Sequence, residues 1–455
     1  MSDWNKNIGV VIFGRKRPGF DQAWSKVVRE RSLAAIDAIG LTPFGADPLV
    51  YDDPTLAAAL RAIRTAECDA LVILQPSIGD GQFALSVMQQ WDGPIVLWAT
   101  PERPGDGKVS SCSLVGAHLW ASILRQAGRD FELVYGDGEL ASVQSELSRA
   151  VLLTASIPRL RRAKVGLIGT HAPGFVDLAA DPFLLRTALG LQLHTLSLAQ
   201  YIDRVKAIPE EEVSRDVAKA RALGLPASKG AELAVSDETL AASSRYYLSM
   251  LDTMREAGLE ALAVQCWPEL PSVFCHWPYM AISRLTAESK CVAIEGDVDG
   301  AVQSLMSTYL GLGPGFLTDW LEHDASTIFL WHPGMASLEM CNAVGSEDGP
   351  TLGTHFNGGQ AGVVDGPLRL ATEVTITRLW RCDNAYHMTA FEGRAIPSTR
   401  KVSGNSLLVE VDGGKVPERF DDLIHAGMPH HVLAVPGKVA ESFRRLARLL
   451  HVAWH

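Results

Sequence analysis

Hydrophobic and polar positions in the first third of the chain alternate between two patterns. Short apolar runs, IGVVIF, ALVILQ and PIVLWAT (residues 8–13, 70–75 and 94–100), are rich in β-branched residues and predict buried strands. Between them, segments such as AWSKVVRERSLAAIDAIG and TLAAALRAIRTA repeat apolar residues every three to four positions, which predicts amphipathic helices. This alternation predicts a parallel sheet covered by helices, with a ligand crevice at the carboxyl ends of the strands.

A second unit with the same plan begins at KVGLIG (residues 164–169), and ALAVQCW and CVAIEGD predict two further buried strands. After about residue 345 the chain becomes glycine-rich, and apolar and polar positions alternate in segments such as ATEVTITRLWRC and SLLVEVDG. We therefore expect an α/β protein with two flavodoxin-like, doubly wound parallel-sheet domains and a C-terminal β-rich, antiparallel barrel-like domain that ends in a helix. The expected domains are residues 1–163, residues 164–344 with the acidic metal ligands, and residues 345–455.

The composition suits a compact globular protein, since 47% of the 455 residues are hydrophobic and 20% are charged. A net charge of -11 argues against a nucleic-acid partner, which requires a concentrated basic face. The densest basic cluster, RLRRAKV at residues 159–165, is short and predicts a solvated helix end.

The N-terminal segment and the cysteines predict a cytoplasmic location. The segment MSDWNKNIGVVIF enters a predicted strand at once and lacks the apolar core of a signal peptide. No uninterrupted apolar run approaches the ~18 residues that a membrane helix requires. The seven cysteines are scattered without a C-x-x-C pair, which is typical of reduced thiols rather than of a disulfide framework. We therefore expect no membrane partner.

Several common functional motifs are absent from the sequence. GVVIFGRK lacks the spacing of a phosphate loop, and no G-x-G-x-x-G follows a predicted strand. Neither G-x-S-x-G nor H-E-x-x-H occurs. The candidate chemistry must therefore come from residues outside these patterns.

Four stretches place a metal-capable side chain where an apolar element gives way to a loop. They are AIEGD with Glu295, GPGFLTDW with Asp319, FLWHPGM with His332, and GMPHHVLAV with His430 and His431. A hard or borderline divalent ion prefers carboxylate oxygen and imidazole nitrogen, so these residues are candidate ligands. Structural alternatives exist, because Glu295 also suits a helix N-terminus and Asp319 also suits a cap of the following turn.

The stretch AIEGDVDGAVQSLMSTYLGLGPGFLTDW, with FLWHPGM and the later GMPHHVLAVPG, resembles the L-fucose isomerase and L-arabinose isomerase superfamily. The likeness extends more loosely to VLWATPE and VGLIGTHAPGF, and so touches all three expected domains. It implies a fucose-isomerase-like ketol isomerase that uses Mn²⁺, with Mg²⁺ or Co²⁺ as alternatives, and that assembles as a hexamer or another homo-oligomer. It further implies that Glu295 and Asp319 match the two acidic metal ligands and that His431 matches the histidine ligand best, with His430 as a second candidate.

The resemblance and the chemistry of the side chains together predict residues that contact the sugar. Gln265 in AVQCW matches a strand-end position that faces the substrate, and His430 is placed to hydrogen-bond a sugar hydroxyl. His332 matches a histidine ligand of the arabinose-type branch but not of the fucose-type branch, and stays a candidate for either role. Arg15 lies at the end of the first strand and could reach the site of a neighbouring subunit. Trp267 offers an aromatic face to the apolar side of a sugar ring.

The resemblance therefore implies an aldose–ketose isomerase that acts on a monosaccharide through a cis-enediol. Glu295 and Asp319 would move the proton between C1 and C2 while a divalent ion polarises the two vicinal oxygens. A neutral pentose or 6-deoxyhexose is the default substrate. A phosphorylated or sulfonated sugar needs an arginine or lysine over its tail, and the candidates are Arg15, Lys16, Arg17 and Arg284. The alternatives are a metal-dependent sugar aldolase or epimerase, and a non-catalytic cytoplasmic sugar-binding protein.

Overall fold

The computed structural model describes residues 6–14, 20–105, 107–369, 372–399 and 402–455. The chain forms two compact units, Asp3–Leu160 and Arg161–His455. This division falls close to the expected boundary after residue 163. No helix in the described ranges is both long enough and apolar enough to cross a membrane.

The first unit is a parallel sheet with a buried cluster on each face. Its strands are β1 (Asn7–Ile12), β2 (Thr42–Phe44), β3 (Leu71–Leu74), β4 (Ile95–Ala99) and β5 (Phe131–Tyr135). Its helices are α1 (Gln22–Ala38), α2 (Asp53–Thr65), α3 (Gln82–Met88), α4 (Ser113–Gln126) and α5 (Ala141–Arg162). The strand order is β2-β1-β3-β4-β5, and each neighbouring pair is parallel. Successive strand residues point to opposite faces, so Val72 joins one cluster and Ile73 the other. This is the predicted flavodoxin-like order.

The second unit begins with another parallel sheet, whose strand order is β7-β6-β8-β9. These strands are β6 (Lys164–Ile168), β7 (Gln192–Leu196), β8 (Ala261–Val264) and β9 (Cys291–Ala293). The helices of this part are α6 (Pro182–Leu184), α7 (Leu198–Ala207), α8 (Glu210–Ala222), α9 (Asp237–Ala257), α10 (Glu269–Phe274), α11 (Tyr279–Ala287) and α12 (Val298–Tyr309). Single 3₁₀ turns cover Val176–Leu178 and Glu232–Val235, and a π-turn covers Leu185–Leu189.

The rest of the second unit is built on a mainly antiparallel sheet. Its strands are β10 (Phe316–His323), β11 (Thr327–His332), β12 (Thr351–Thr354), β13 (Ala361–Pro367), β14 (Glu373–Cys382), β15 (Ala385–Ile396), β16 (Asn405–Val411), β17 (His431–Pro436) and β18 (Ala453–Trp454). Its helices are α13 (Val416–His425) and α14 (Ala440–Leu450), and a 3₁₀ turn covers Leu338–Met340. The order β16-β11-β10-β17-β14-β15 closes into a barrel because β15 also pairs with β16. The predicted fold class is confirmed.

The barrel begins earlier along the chain than residue 345. Strands β10 and β11 form an antiparallel hairpin, and they pair with β17 and β16 respectively. Asp319 therefore lies in the barrel, whereas the sequence analysis assigned it to the central α/β domain. The glycine-rich texture that starts near residue 345 reflects the loops around β12 and β13, and is not the point where antiparallel pairing starts.

Helix α12 is buried along its whole length. It packs on strands β8 and β9 of the parallel sheet and on β14 and β17 of the barrel. The turn that precedes α12 therefore lies where the sheet meets the barrel, with barrel side chains close to it. Glu295 and Asp297 both belong to that turn.

Candidate active site

Glu295 occupies a strained turn between the end of β9 and the start of α12. Its backbone φ of 56° is in the left-handed region, which side chains other than glycine rarely adopt. The next residue, Gly296, also has a positive φ, and a Cβ there would clash with the carbonyl oxygen of Thr170. The buried Glu295 carboxylate accepts a 2.7 Å hydrogen bond from Trp267 Nε1 through Oε1. This bond fixes one oxygen and leaves Oε2 available.

Asp319 and His431 are brought together by barrel register. They are directly paired residues of β10 and β17, so their backbones lie side by side. His431 Nε2 lies 3.6 Å from Asp319 Oδ1 and 3.3 Å from Glu295 Oε2. This buried nitrogen makes no hydrogen bond of normal geometry. Two carboxylates and one imidazole from three distant stretches thus converge on a single point.

The other side of His431 is held by a buried ion pair. Asp297 is acceptor-only, so Nδ1 of His431 donates to its Oδ2 at 2.9 Å, and Nε2 is the ring nitrogen that faces Glu295 and Asp319. Arg378 donates to both oxygens of Asp297, at 2.6 and 3.0 Å, and Gly300 N donates at 2.8 Å. His431, Asp297 and Arg378 are all at most 1% exposed. The ring orientation is therefore fixed.

The His431 ring lies between the carboxylates of Asp297 and Glu295, and these negative charges favour its protonated form. Burial by itself would lower the pKa of His431, but the contacts with Asp297 and Glu295 outweigh burial and raise that pKa to about 9. Burial would raise the pKa of Asp297, but Arg378 and His431 hold it far below its usual range. The pKa of Glu295 is also lowered, against the effect of burial, by the neighbouring imidazoles. At neutral pH His431 therefore carries a proton on Nε2, and the carboxylates of Glu295 and Asp297 are ionised.

Two further histidines, His332 and His430, lie close to His431 Nε2. The buried His332 donates from Nδ1 to the carbonyl oxygen of Pro333 at 3.2 Å, and its ring centre lies 6.1 Å from that of His431. His430 donates from Nδ1 to Asp177 Oδ2 at 2.7 Å, while its buried Nε2 has no hydrogen-bond partner. The ligand atoms of two overlapping groups each lie within 4.8 Å of one another: Glu295, His332 and His431 form one, and Asp319, His430 and His431 form the other.

This donor chemistry fits a divalent cation. Two carboxylates and one to three imidazoles converge, and the shared atom, His431 Nε2, is a buried polar atom without a hydrogen bond. Carboxylate oxygens and imidazole nitrogens are ligands that several divalent ions accept. The donor set is therefore consistent with a metal and does not distinguish among these ions.

A cavity of about 290 Å³ opens beside the cluster. Its apolar wall is mostly aromatic and consists of Phe175, Trp267, Trp277, Tyr279, Trp331, Pro333 and Phe356. Its polar lining consists of Glu295, Asp319, His332, His355, Asn357 and His430. Aromatic faces beside a small set of polar groups suit a compact polar ligand such as a sugar.

Two residues predicted from the sequence to contact the substrate lie away from the cavity, and a third is not among the described residues. Gln265 accepts from Thr170 N and donates to Glu269, both at 2.9 Å, so it braces the loop after β6 and does not line the cavity. Arg284 is buried in a two-bond pair with Asp216, so it is not available to hold an anionic tail. Arg15 lies outside the described residues, as do Lys16 and Arg17.

Sequence reasoning missed several residues that shape the site. Asp297 could have been noticed, because it shares the E-G-D turn with Glu295. Arg378 and Asp177 carry no local signal, since they lie 81 and 253 residues from their partners Asp297 and His430. His355 follows a short strand in a glycine-rich segment that predicted only a loop.

Known proteins with similar sequences support the prediction that this chain is an isomerase. No protein-family model matches the chain. The chain is 24% identical to sulfoquinovose isomerases from Priestia aryabhattai and Priestia megaterium, over 98% of its own length and 98% of theirs. It is 25% identical to the sulfoquinovose isomerase of Alkalicoccus urumqiensis, over 84% of this chain and 85% of that protein. These relatives confirm the prediction of an isomerase enzyme, and the chain is similar along nearly its whole length to proteins named sulfoquinovose isomerase.

Proposed function

We propose that this protein is a metal-dependent aldose–ketose isomerase that acts on a sulfonated monosaccharide of the sulfoquinovose type through a cis-enediol. The observation that carries the proposal is the convergence of Glu295, Asp319 and His431 beside a sugar-sized cavity. The similarity to sulfoquinovose isomerases supports an anionic substrate over the neutral default. As implied by the resemblance, we also propose a homo-oligomer.

The proposed ligands of Mn²⁺ are Glu295, Asp319 and His431, with His332 as the next candidate. A divalent cation held by these residues would supply Lewis acidity to the oxygens of the sugar. Asp297 contributes by holding His431 with Nε2 toward the carboxylates, an arrangement common around metal-bound histidines.

Two carboxylates are available to move the proton between C1 and C2. We assign the base role to Glu295, because its carboxylate is buried beside the cavity and Trp267 fixes it through Oε1 alone. Asp319 has a side chain that is 26% exposed, and it suits proton exchange with the hydroxyl oxygens. Trp277 and Tyr279, the buried aromatic residues of the wall, keep bulk water from the closed part of the cavity.

A panel of aldoses tests this function. With Mn²⁺, a C6-sulfonated aldose should yield the ketose with all carbons retained, whereas an aldolase would release fragments. A chelator should abolish conversion and added Mn²⁺ should restore it, as followed by NMR of the sugar. Sugar binding that persists unchanged after chelation, with no conversion before it, would favour the non-catalytic sugar-binding alternative.

Mn²⁺ uptake by the metal-free protein is expected to release a proton at neutral pH. His431 can offer Nε2 to a cation only after it loses the proton that a pKa of about 9 holds there. The apparent affinity should therefore rise about tenfold per pH unit below about pH 9 and level off above it. Calorimetry in buffers of different protonation enthalpy counts the protons. An affinity that stays flat across this range would remove His431 from the ligands.

A further inference from the structure

The loop between β12 and β13 forms the most accessible part of the cavity. Phe356 and Asn357 are the lining residues that are exposed to solvent, whereas Glu295, His332 and His355 are buried. The cavity thus has a mouth at Phe356 and Asn357, and Glu295 marks its closed part. If the mouth and the closed part of the cavity differ in charge, a ligand with one charged end and one neutral end binds more favourably in one orientation than in the other.

The charges of the lining residues do differ between these regions. Glu295 and Asp319 supply negative charge at the reacting centre, and no arginine or lysine lines the cavity within the described parts of the chain. A sulfonate is a permanent anion that protonation cannot neutralise at neutral pH, and an unpaired buried anion is strongly unfavourable. Carboxylates close to it would add repulsion. The sulfonate is therefore best accommodated where water still reaches it.

Two neutral N–H donors adjoin that mouth, one on the buried ring of His355 next to Phe356 and one on the exposed Asn357. The ring of His355 stacks on Trp277 with centres 3.7 Å apart, and its Nδ1 accepts from the backbone N–H of Asn357 at 3.3 Å. The proton of the neutral ring is therefore on Nε2, which makes His355 a donor. Burial and the nearby His332 lower the pKa of His355 to about 4, so the ring stays neutral at pH 7. The amide of Asn357 offers a second donor that remains solvated.

We infer that the sugar binds with its reducing end toward Glu295 and Asp319, and with its sulfonate at the mouth against His355 and Asn357. This inference rests on the proposed function and adds an orientation and two specificity residues to it. Asn357 selects for the anionic tail without touching the reacting carbons.

Substitutions that change the charge at Asn357 test the orientation of the sugar, and they are compared by binding affinity rather than by turnover. The probes are a C6-sulfonated hexitol and the matching 6-deoxyhexitol, titrated calorimetrically into the Mn²⁺-loaded protein. The preference is the affinity for the sulfonated hexitol divided by the affinity for the 6-deoxyhexitol. Asn357→Asp should lower this ratio by about fivefold, and Asn357→Lys should raise it by about the same factor. Both changes should shrink at about 1 M salt, because exposed charges are screened there. The gain in Asn357→Lys cannot arise from misfolding.

Two further variants complete the test. Asn384→Asp adds the same charge in an exposed turn of the β14–β15 hairpin and should leave the preference unchanged. His355→Phe keeps an aromatic ring on Trp277 but removes the N–H donor, and should reduce the preference. An unchanged preference in both Asn357 variants overturns the orientation, as does a wild-type protein that binds neither hexitol. If the Asn357 effects appear but no aldose is converted, only the proposed isomerase function fails.

Discussion

Glu295→Gln is expected to lower the turnover number of aldose–ketose conversion by about 10²–10⁴-fold, the range typical for loss of a general base. The substitution keeps an Oε1 that can accept from Trp267, so the turn before α12 should retain its conformation. It removes the negative charge that faces His431 and that we assign to proton abstraction. The conversion is measured with Mn²⁺ at saturating sulfonated aldose.

A matched control separates chemistry from folding. Glu347→Gln makes the same change at an exposed position of a loop, so both activity and melting temperature should stay close to the wild type. Glu295→Gln should keep a cooperative thermal transition while it loses activity. Full activity in Glu295→Gln would remove this residue from the mechanism and shift the base role to Asp319.

Arg378→Met is expected to lower the free energy of unfolding by about 3–5 kcal/mol, because it leaves a buried carboxylate without its ion-pair partner. Arg378 is 1% exposed and Asp297 is fully buried, so solvent cannot replace the lost contact. The same change should weaken Mn²⁺ binding by about 10–100-fold, since Asp297 would no longer be held against His431. Urea unfolding of the metal-free protein and calorimetry with Mn²⁺ measure the two effects separately.

Arg255→Met is the control for this prediction. Arg255 pairs with Asp252 on the surface and its side chain is 72% exposed, so its loss should change the unfolding free energy by about 1 kcal/mol or less. Adding Asp297→Asn to Arg378→Met should recover part of the stability, because the unpaired buried charge is then gone. If Arg378→Met is no less stable than Arg255→Met, the pair with Asp297 does not support the site.

The candidate site sits on elements whose own packing is dense. The turn with Glu295 is held between the parallel sheet and the barrel by the wholly buried α12, and Asp319 and His431 are fixed by strand pairing. Such a frame holds two carboxylates and an imidazole together although like charges repel each other. The proton on His431 offsets part of the repulsion between the carboxylates, and a bound cation would replace this proton.

Local sequence pattern determined the elements and the chemical types at the site. Apolar runs predicted the strands of both parallel sheets, because buried parallel strands require apolar residues on both faces. The glycines and acids of AIEGD marked a turn beside a buried strand, and the GMPHH segment marked the histidines. Both signals arise from residues that are neighbours along the chain, so they can be seen without the fold.

Tertiary structure alone decided which of these side chains meet. The pairing of Asp319 with His431 follows from the register of β10 on β17, and the Arg378–Asp297 contact follows from the packing of β14 against α12. Gln265, which the resemblance placed toward the sugar, turned instead to a neighbouring loop. These outcomes depend on interactions between segments far apart in sequence, because a strand pattern specifies which face is buried but not which distant residue lies opposite it.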